Sequence, residues 1–230
     1  MEQSNTYYKY YFFNFMWYNL HMIKKIIKEN LIYILIIVFL ILVFTFIKNS
    51  SLYDKILNFD HKIISVRDIY IDEKLTLSFK HITFFGDYYI PILIIVCIFI
   101  FNKNKYHSYV NFVNYLVALV ITFITKVTVN RARPDVNLIA IPDKYSFPSG
   151  HTLTSIVFYT FLCYVATYNR KTRKILLPIV ILLILAISVS RIYLGVHYFS
   201  DVVGAIILSI PILLMNINIF NKHVKEKLLW

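Results

Sequence analysis

The sequence predicts an all-α integral membrane protein with six transmembrane helices and both termini in the cytoplasm. Three observations predict it. First, 59% of the 230 residues are hydrophobic and only 16% are charged, where a soluble domain carries about 25%. Second, the apolar residues gather in runs long enough to cross a bilayer, which takes roughly 20 residues. Third, the basic residues concentrate on alternate connections between those runs.

The candidate spans are residues 31–47, 82–101, 109–129, 152–168, 175–190 and 202–220. Unbroken Ile, Leu and Val runs exclude the alternating pattern of a membrane β-barrel. With four Gly and six Pro, long flexible linkers are not expected. The chain divides into an N-terminal segment (1–30), one membrane domain (31–220) and a cytoplasmic tail (221–230). In the first segment a run of aromatics from Tyr7 to Tyr18 precedes Lys24, Lys25 and Lys28, a composition suited to the headgroup level. A loosely ordered tail fits that segment equally well.

Orientation comes from Lys and Arg. The four segments at 1–30, 102–108, 168–174 and 221–230 hold 13 of them against three acids. The remaining 11 bases share the spans and the other side with nine acids. The positive-inside rule therefore puts both termini in the cytoplasm. The net charge of +12 is accounted for by this topology, and no nucleic acid partner is expected. Cys97 and Cys163 lie within apolar runs and read as core residues rather than a disulfide or metal pair. Of the outer connections, 48–81 repeats Leu52, Ile56, Phe59, Ile63 and Val66 at helical spacing, so part of it is expected on the membrane surface as a possible lid.

The polar residues that need explaining sit at the outer ends of spans three to six. Lys126, Arg133 and Pro134 form the first cluster. Pro148, Ser149, Gly150 and His151 open the fourth span, with proline expected in its first turn and free backbone N–H groups able to hold an anion. Ser190, Arg191, His197 and Asp201 form the third cluster. On a helix His197 and Asp201 would share a face, and a carboxylate on one ring nitrogen frees the other as a nucleophile. Each cluster alone has an ordinary explanation: a snorkelling lysine, a helix start, a structural His–Asp pair. Together they bring three cations beside two histidines, which repel one another unless an anion lies among them. Phosphate matches the arginine forks.

These eleven residues, with their internal spacings, resemble the three-part signature of the type 2 phosphatidic acid phosphatases, a superfamily that also includes vanadium haloperoxidases and bacterial acid phosphatases. Two further stretches, Phe59–Ser65 (FDHKIIS) and His81–Asp87 (HITFFGD), resemble the bacterial lipid-phosphatase branch less specifically. The resemblance implies that His197 attacks phosphorus to form a phosphohistidine, that Asp201 orients it, and that His151 protonates the leaving oxygen and then assists water. It implies that Lys126, Arg133 and Arg191 bind the phosphoryl oxygens, completed by Ser149 and the Gly150 N–H. No metal and no cofactor are implied, because the fixed cations stabilise the charge.

The leading substrate expectation is undecaprenyl diphosphate at the outer leaflet of the cell membrane, converted to undecaprenyl phosphate. The alternative is phosphatidic acid or phosphatidylglycerol phosphate. A transporter would place ionisable residues near mid-membrane, and a catalytically silent lipid-binding relative would lack His151 or His197. The oligomeric state is left open.

Overall fold

The structure, a computed structural model, describes residues 20–140, 144–167 and 170–224. The aromatic run at 7–18 and the end of the tail lie outside these residues. Among the described residues the regular elements are helices: α1 (20–29), α2 (Leu31–Lys48), α3 (Leu52–Ile69), α4 (Glu73–Phe84), α5 (Tyr89–Phe101), α6 (Tyr106–Val129), α7 (Gly150–Ala166), α8 (Arg170–Tyr193) and α9 (Phe199–Ile219), followed by a π-helical turn over Phe220–Val224.

The packing order follows from the apolar pattern. α7 packs against α6, α8 and α9 at once, and a helix apolar on every side belongs in such a central place. Its Leu153, Val157 and Phe158 have no exposed surface. Leu153 and Val157 meet Ala205, Leu208 and Ile212 of α9, while Phe158 and Tyr159 meet Tyr115, Ile184 and Ile187. The peripheral helices turn large apolar side chains outward instead: Phe46, Phe101, Phe123 and Leu182 are 66–82% exposed. Water would penalise that arrangement at about 25 cal/mol per Å², whereas lipid does not.

Among the described residues four helices are long and apolar enough to cross a bilayer: α2, α6, α8, and α9 with its π-helical turn. The expected second span at 82–101 is not one helix. It divides at residues 85–88 into α4 and α5, bent by 44°. Counted as one broken span, the pair makes a fifth. α7, with 17 residues, is shorter. At the break Gly86 lies so near α8 and α7 that a Cβ would stand 2.7 Å from Ile187 Cγ2 and 3.0 Å from His151 Cδ2.

The 48–81 connection is ordered. Leu52, Phe59 and Val66 of α3 do point outward, as a surface helix requires. Its inward face was not anticipated: it carries Asp60 and Arg67, both buried. Arg67 donates to the carbonyls of Tyr193 (2.7 Å) and Val136 (2.8 Å). The expected lid is therefore a docked helix.

α2, α6 and α8 end, and α7 and α9 begin, at one end of the bundle. At the other end Asn218 Nδ2 donates to Asn30 Oδ1 (2.9 Å), joining the α1–α2 junction to the last turn of α9.

Candidate active site

Two short connections shape the site. α6 stops at Asn130, whose left-handed φ of 50° turns the chain back. The connection then folds on itself through a bridge between Ala132 and Tyr145 and the bond from Ser146 N–H to Arg131 O (2.8 Å). Arg131 and Arg133 thereby leave the helix two residues apart. The α8–α9 connection is tighter. Gly195 adopts φ +69°, and a Cβ there would come within 2.3 Å of Val136 O and 2.4 Å of Arg67 Nη2, so only glycine fits. That turn carries His197 inward.

The expected helix start needs a correction. Pro148 is not in the first turn of α7; it precedes the cap, with a cis Phe147–Pro148 bond. Ser149 is the N-cap, and its Oγ accepts from Thr152 N–H. The Ser149 N–H is itself engaged with Asp201 O (3.2 Å). A methyl group at Gly150 would make only ordinary contacts with Thr122 and Lys126, so packing does not demand glycine there.

A cavity of about 260 Å³ gathers these pieces. Lys126, Arg133, Gly150, His151, Arg191 and His197 line it, joined by Thr83 and Asp87 from the end of α4 and the break before α5. Ser149 and Asp201 stand behind, without exposed surface. All eight expected site residues thus meet at one end of the bundle. Arg133 Nη1 lies 3.3 Å from His197 Nε2 and donates to Val196 O (2.6 Å). Lys126 Nζ donates to Tyr145 O (2.6 Å) and Arg191 Nη1 to Thr83 Oγ1 (2.7 Å).

His197 is 2% exposed. Burial first, then the nearby charges of Arg133, Arg191 and Lys126, holds its imidazole well below the ordinary histidine value. It is therefore neutral at pH 7, with a lone pair available. Its Nδ1 is 3.4 Å from Asp201 Oδ2, a loose contact of the sort that tightens when substrate binds. The Asp201 carboxylate is firmly held. Its Oδ2 accepts from Tyr198 N–H (2.9 Å) and its Oδ1 from Arg131 Nη1 (2.6 Å).

Arg131 has a second carboxylate. Its Nη2 meets Asp60 Oδ2 at 2.7 Å, its Nη1 reaches Ser200 Oγ at 2.7 Å, and its guanidinium lies 4.2 Å from the Tyr198 ring centroid. Asp60 Oδ1 in turn accepts from Ser200 N–H (2.9 Å). A second histidine–carboxylate pair faces the cavity, with His151 Nε2 2.8 Å from Asp87 Oδ1. Among the described residues no group of three or more His, Cys, Asp or Glu converges as metal ligands.

The family model of the PAP2 superfamily matches residues 108–225, just over half of the sequence. The chain belongs to the PAP2 superfamily. Similar proteins include phosphatidylglycerophosphatase B of Bacillus subtilis (strain 168), 28% identical over 107 residues, which are 45% of this chain and 52% of that protein. Decaprenylphosphoryl-5-phosphoribose phosphatase of Mycobacterium tuberculosis is 36% identical over 86 residues, 36% of this chain and 44% of that protein. The matches thus span about half the length of these curated relatives. Among solved structures, a transmembrane PAP2 type phosphatidylglycerolphosphate phosphatase from Bacillus subtilis superposes with a TM-score of 0.72 at 20% identity, over 82% of this chain and 96% of that one. Aquifex aeolicus LpxE gives 0.51 at 24% identity, over 67% and 92%. Both share the fold.

The PAP2 signature accounts for the three clusters but not for Asp60, Thr83, Asp87 or Arg131, which the sequence reading did not select. Three of the four lie in the FDHKIIS and HITFFGD stretches, so the signal was present without a role attached. Arg131 was hidden between Lys126 and Arg133, where a third cation looks like one more interfacial charge.

Proposed function

We propose that this PAP2 chain is a phosphatase acting on the phosphate of a membrane lipid through a histidine nucleophile. The observation that carries the reading is the neutral His197 beside Arg133 in a cavity that also holds Lys126, Arg191 and the His151–Asp87 pair. The lone pair on His197 Nε2 forms a bond to phosphorus as the bond to the lipid oxygen breaks. His151 gives that oxygen a proton. Water then attacks the phosphohistidine, the P–N bond breaks, and the proton of water goes to His151. Lys126, Arg133, Arg191 and the Gly150 N–H hold the equatorial oxygens as charge moves onto them, and Asp201 stabilises the charge on the His197 ring. Fixed cations take the part a metal would have, so EDTA is expected to leave turnover intact; a loss restored by Mg²⁺ would overturn this.

In this reading the chain crosses the membrane six times. α2, the α4–α5 pair, α6, α8 and α9 provide five crossings, and α7, near the lower limit of about 17 residues, provides the sixth. The positive-inside count then faces the site outward. Cysteines introduced singly at Asp135 and Lys171, after removal of Cys97 and Cys163, test this. An impermeant thiol reagent on intact cells is expected to label position 135 and spare 171; the reverse would put the site in the cytoplasm.

For an outward site we propose undecaprenyl diphosphate as substrate, yielding undecaprenyl phosphate. A second reading, phosphatidylglycerol phosphate, is favoured by the names of one curated relative and of one solved structure. Phosphate release by the purified chain from prenyl diphosphates, phosphatidic acid and phosphatidylglycerol phosphate distinguishes them. Turnover of none of these lipids would sink the phosphatase reading itself.

A further inference from the structure

We propose that Asp87 is the positioning residue of His151. Its carboxylate holds the ring by Nε2 and supplies the counter-charge that lets the ring carry a proton inside a cationic cavity. The proposal rests on the reading of His151 as proton donor and acceptor.

Three observations support it. The first is the contact, 2.8 Å from Asp87 Oδ1 to His151 Nε2. The second is the way the backbone achieves it. The α4–α5 break sits against His151 because residue 86 lacks a side chain; a Cβ there would be 3.0 Å from the ring's Cδ2 and 2.7 Å from Ile187. The turn is thus built onto the histidine, and Asp87 is the next residue. The third is charge. Around His151 the cavity presents Lys126 from α6, Arg133 from the α6–α7 connection, Arg191 from α8, and His197 from the α8–α9 turn. Among the described residues lining the cavity Asp87 is the only carboxylate. An imidazolium among three fixed cations is disfavoured by repulsion, and an opposite charge at hydrogen-bond distance offsets it.

The pairing also selects the working nitrogen. With Nε2–H committed to Asp87, Nδ1 is the atom that gives its proton to the leaving oxygen and later takes one from water. The ring keeps its Nε2 proton throughout, so one tautomer serves both half-reactions. The site then contains two Asp–His pairs with opposite tasks, His197 kept neutral for attack and His151 kept protonatable.

The experiment uses the full chain in detergent with Asp87→Asn, which keeps the side-chain shape and removes the charge. About 35% of the Asp87 side chain is exposed, so the change leaves no buried void, and an unchanged thermal midpoint checks this. A general acid is worth about 10²–10⁴-fold. On a lipid monophosphate, kcat/KM is expected to fall about 10- to 100-fold, with the alkaline limb of its pH profile moved to lower pH. On an aryl phosphate whose leaving group needs no proton, kcat/KM, which reports the steps up to the phosphohistidine, is expected to change less than about 3-fold. In the His151→Ala background, Asp87→Asn should cost nothing further. Equal losses on both substrates, additive losses in the double variant, or a rise in KM alone would overturn the proposal and make Asp87 a structural or headgroup-binding residue. So would loss of the fold. These outcomes are read in an enzyme that turns over, so they are distinct from failure of the phosphatase reading, in which the unaltered chain hydrolyses none of the lipids.

Discussion

The two aspartate–histidine pairs are built differently. Asp201 has no exposed surface and is clamped by Arg131, itself shared with Asp60. Asp87 stands at the cavity wall with a third of its side chain exposed, and its carboxylate oxygen is on the histidine itself. The buried pair gains rigidity on the carboxylate side: Asp201 is fixed by a charged fork and a backbone N–H, so the His197 ring has only the 3.4 Å gap to its Oδ2 to close. The exposed pair keeps access to water, which a group that must exchange protons during turnover requires. On the proposed mechanism, rigidity suits a nucleophile, and solvent contact suits an acid and base.

Substitutions can break this contrast at several points. The largest effect is expected from His197→Ala. Removing the nucleophile removes the reaction path, so activity should fall by about 10³-fold or more while the protein stays folded. A few per cent of residual activity would contradict the assignment. Asp201→Asn comes next. It keeps the shape but disturbs the tautomer of His197, and a loss of about 10²–10⁴-fold is expected. That loss should exceed the one from Asp87→Asn; the opposite order would reverse the comparison.

Arg131 affects stability more directly than chemistry. Arg131→Met leaves Asp60 and Asp201 buried without their cation, and breaking a buried pair costs about 3–5 kcal/mol. The thermal midpoint should drop sharply, and Arg131→Lys should not rescue it, because a point charge cannot fork two carboxylates. A midpoint unchanged in Arg131→Met would mean that the two acids are solvated or protonated.

The smallest effect is a pH slope. His197 is held below its ordinary value of about 6.5. Below pH ~6.5 the unfolded chain therefore binds a proton that the folded chain refuses, and stability declines as pH falls, by at most ~1.4 kcal/mol per pH unit until the folded group titrates. Unfolding followed from pH 7 to 5 should show a shallower decline in His197→Ala. Identical slopes would mean that the imidazole is not desolvated as described.

Much of this was legible in the sequence, for reasons that can be named. The ends of α2 and α6 lie within a few residues of the expected spans, because lipid-facing helices must be continuously apolar. Lys126, Arg133, His151 and His197 were found because their spacing is a signature. The α4–α5 break was missed because the apolar run continues through it, and the packing of Gly86 against Ile187 and His151 is tertiary. α3 was read by its outward stripe alone; its inward Asp60 and Arg67 look like solvated charges until their partners, 71 and 126 residues away, are in place. Arg131 was missed for the same reason, since a buried cation and an interfacial one have the same letter.

The Asp60–Arg131–Asp201 clamp also constrains how the chain is made. Asp60 is synthesised first, Arg131 follows 71 residues later, and Asp201 another 70 after that. An acid buried without its cation costs several kcal/mol, so α3 has no reason to dock when it emerges. On the proposed topology α3 waits in the headgroup layer until α6 is in place, and the clamp closes only when α9 arrives. The proposed nucleophile, His197, is thus positioned by one of the last events of biogenesis. A ribosome stalled just before Asp201 would leave a membrane-inserted chain whose nine cavity-lining residues from Thr83 to Arg191, and His197 as well, are already made, but whose proposed nucleophile has no carboxylate beside it.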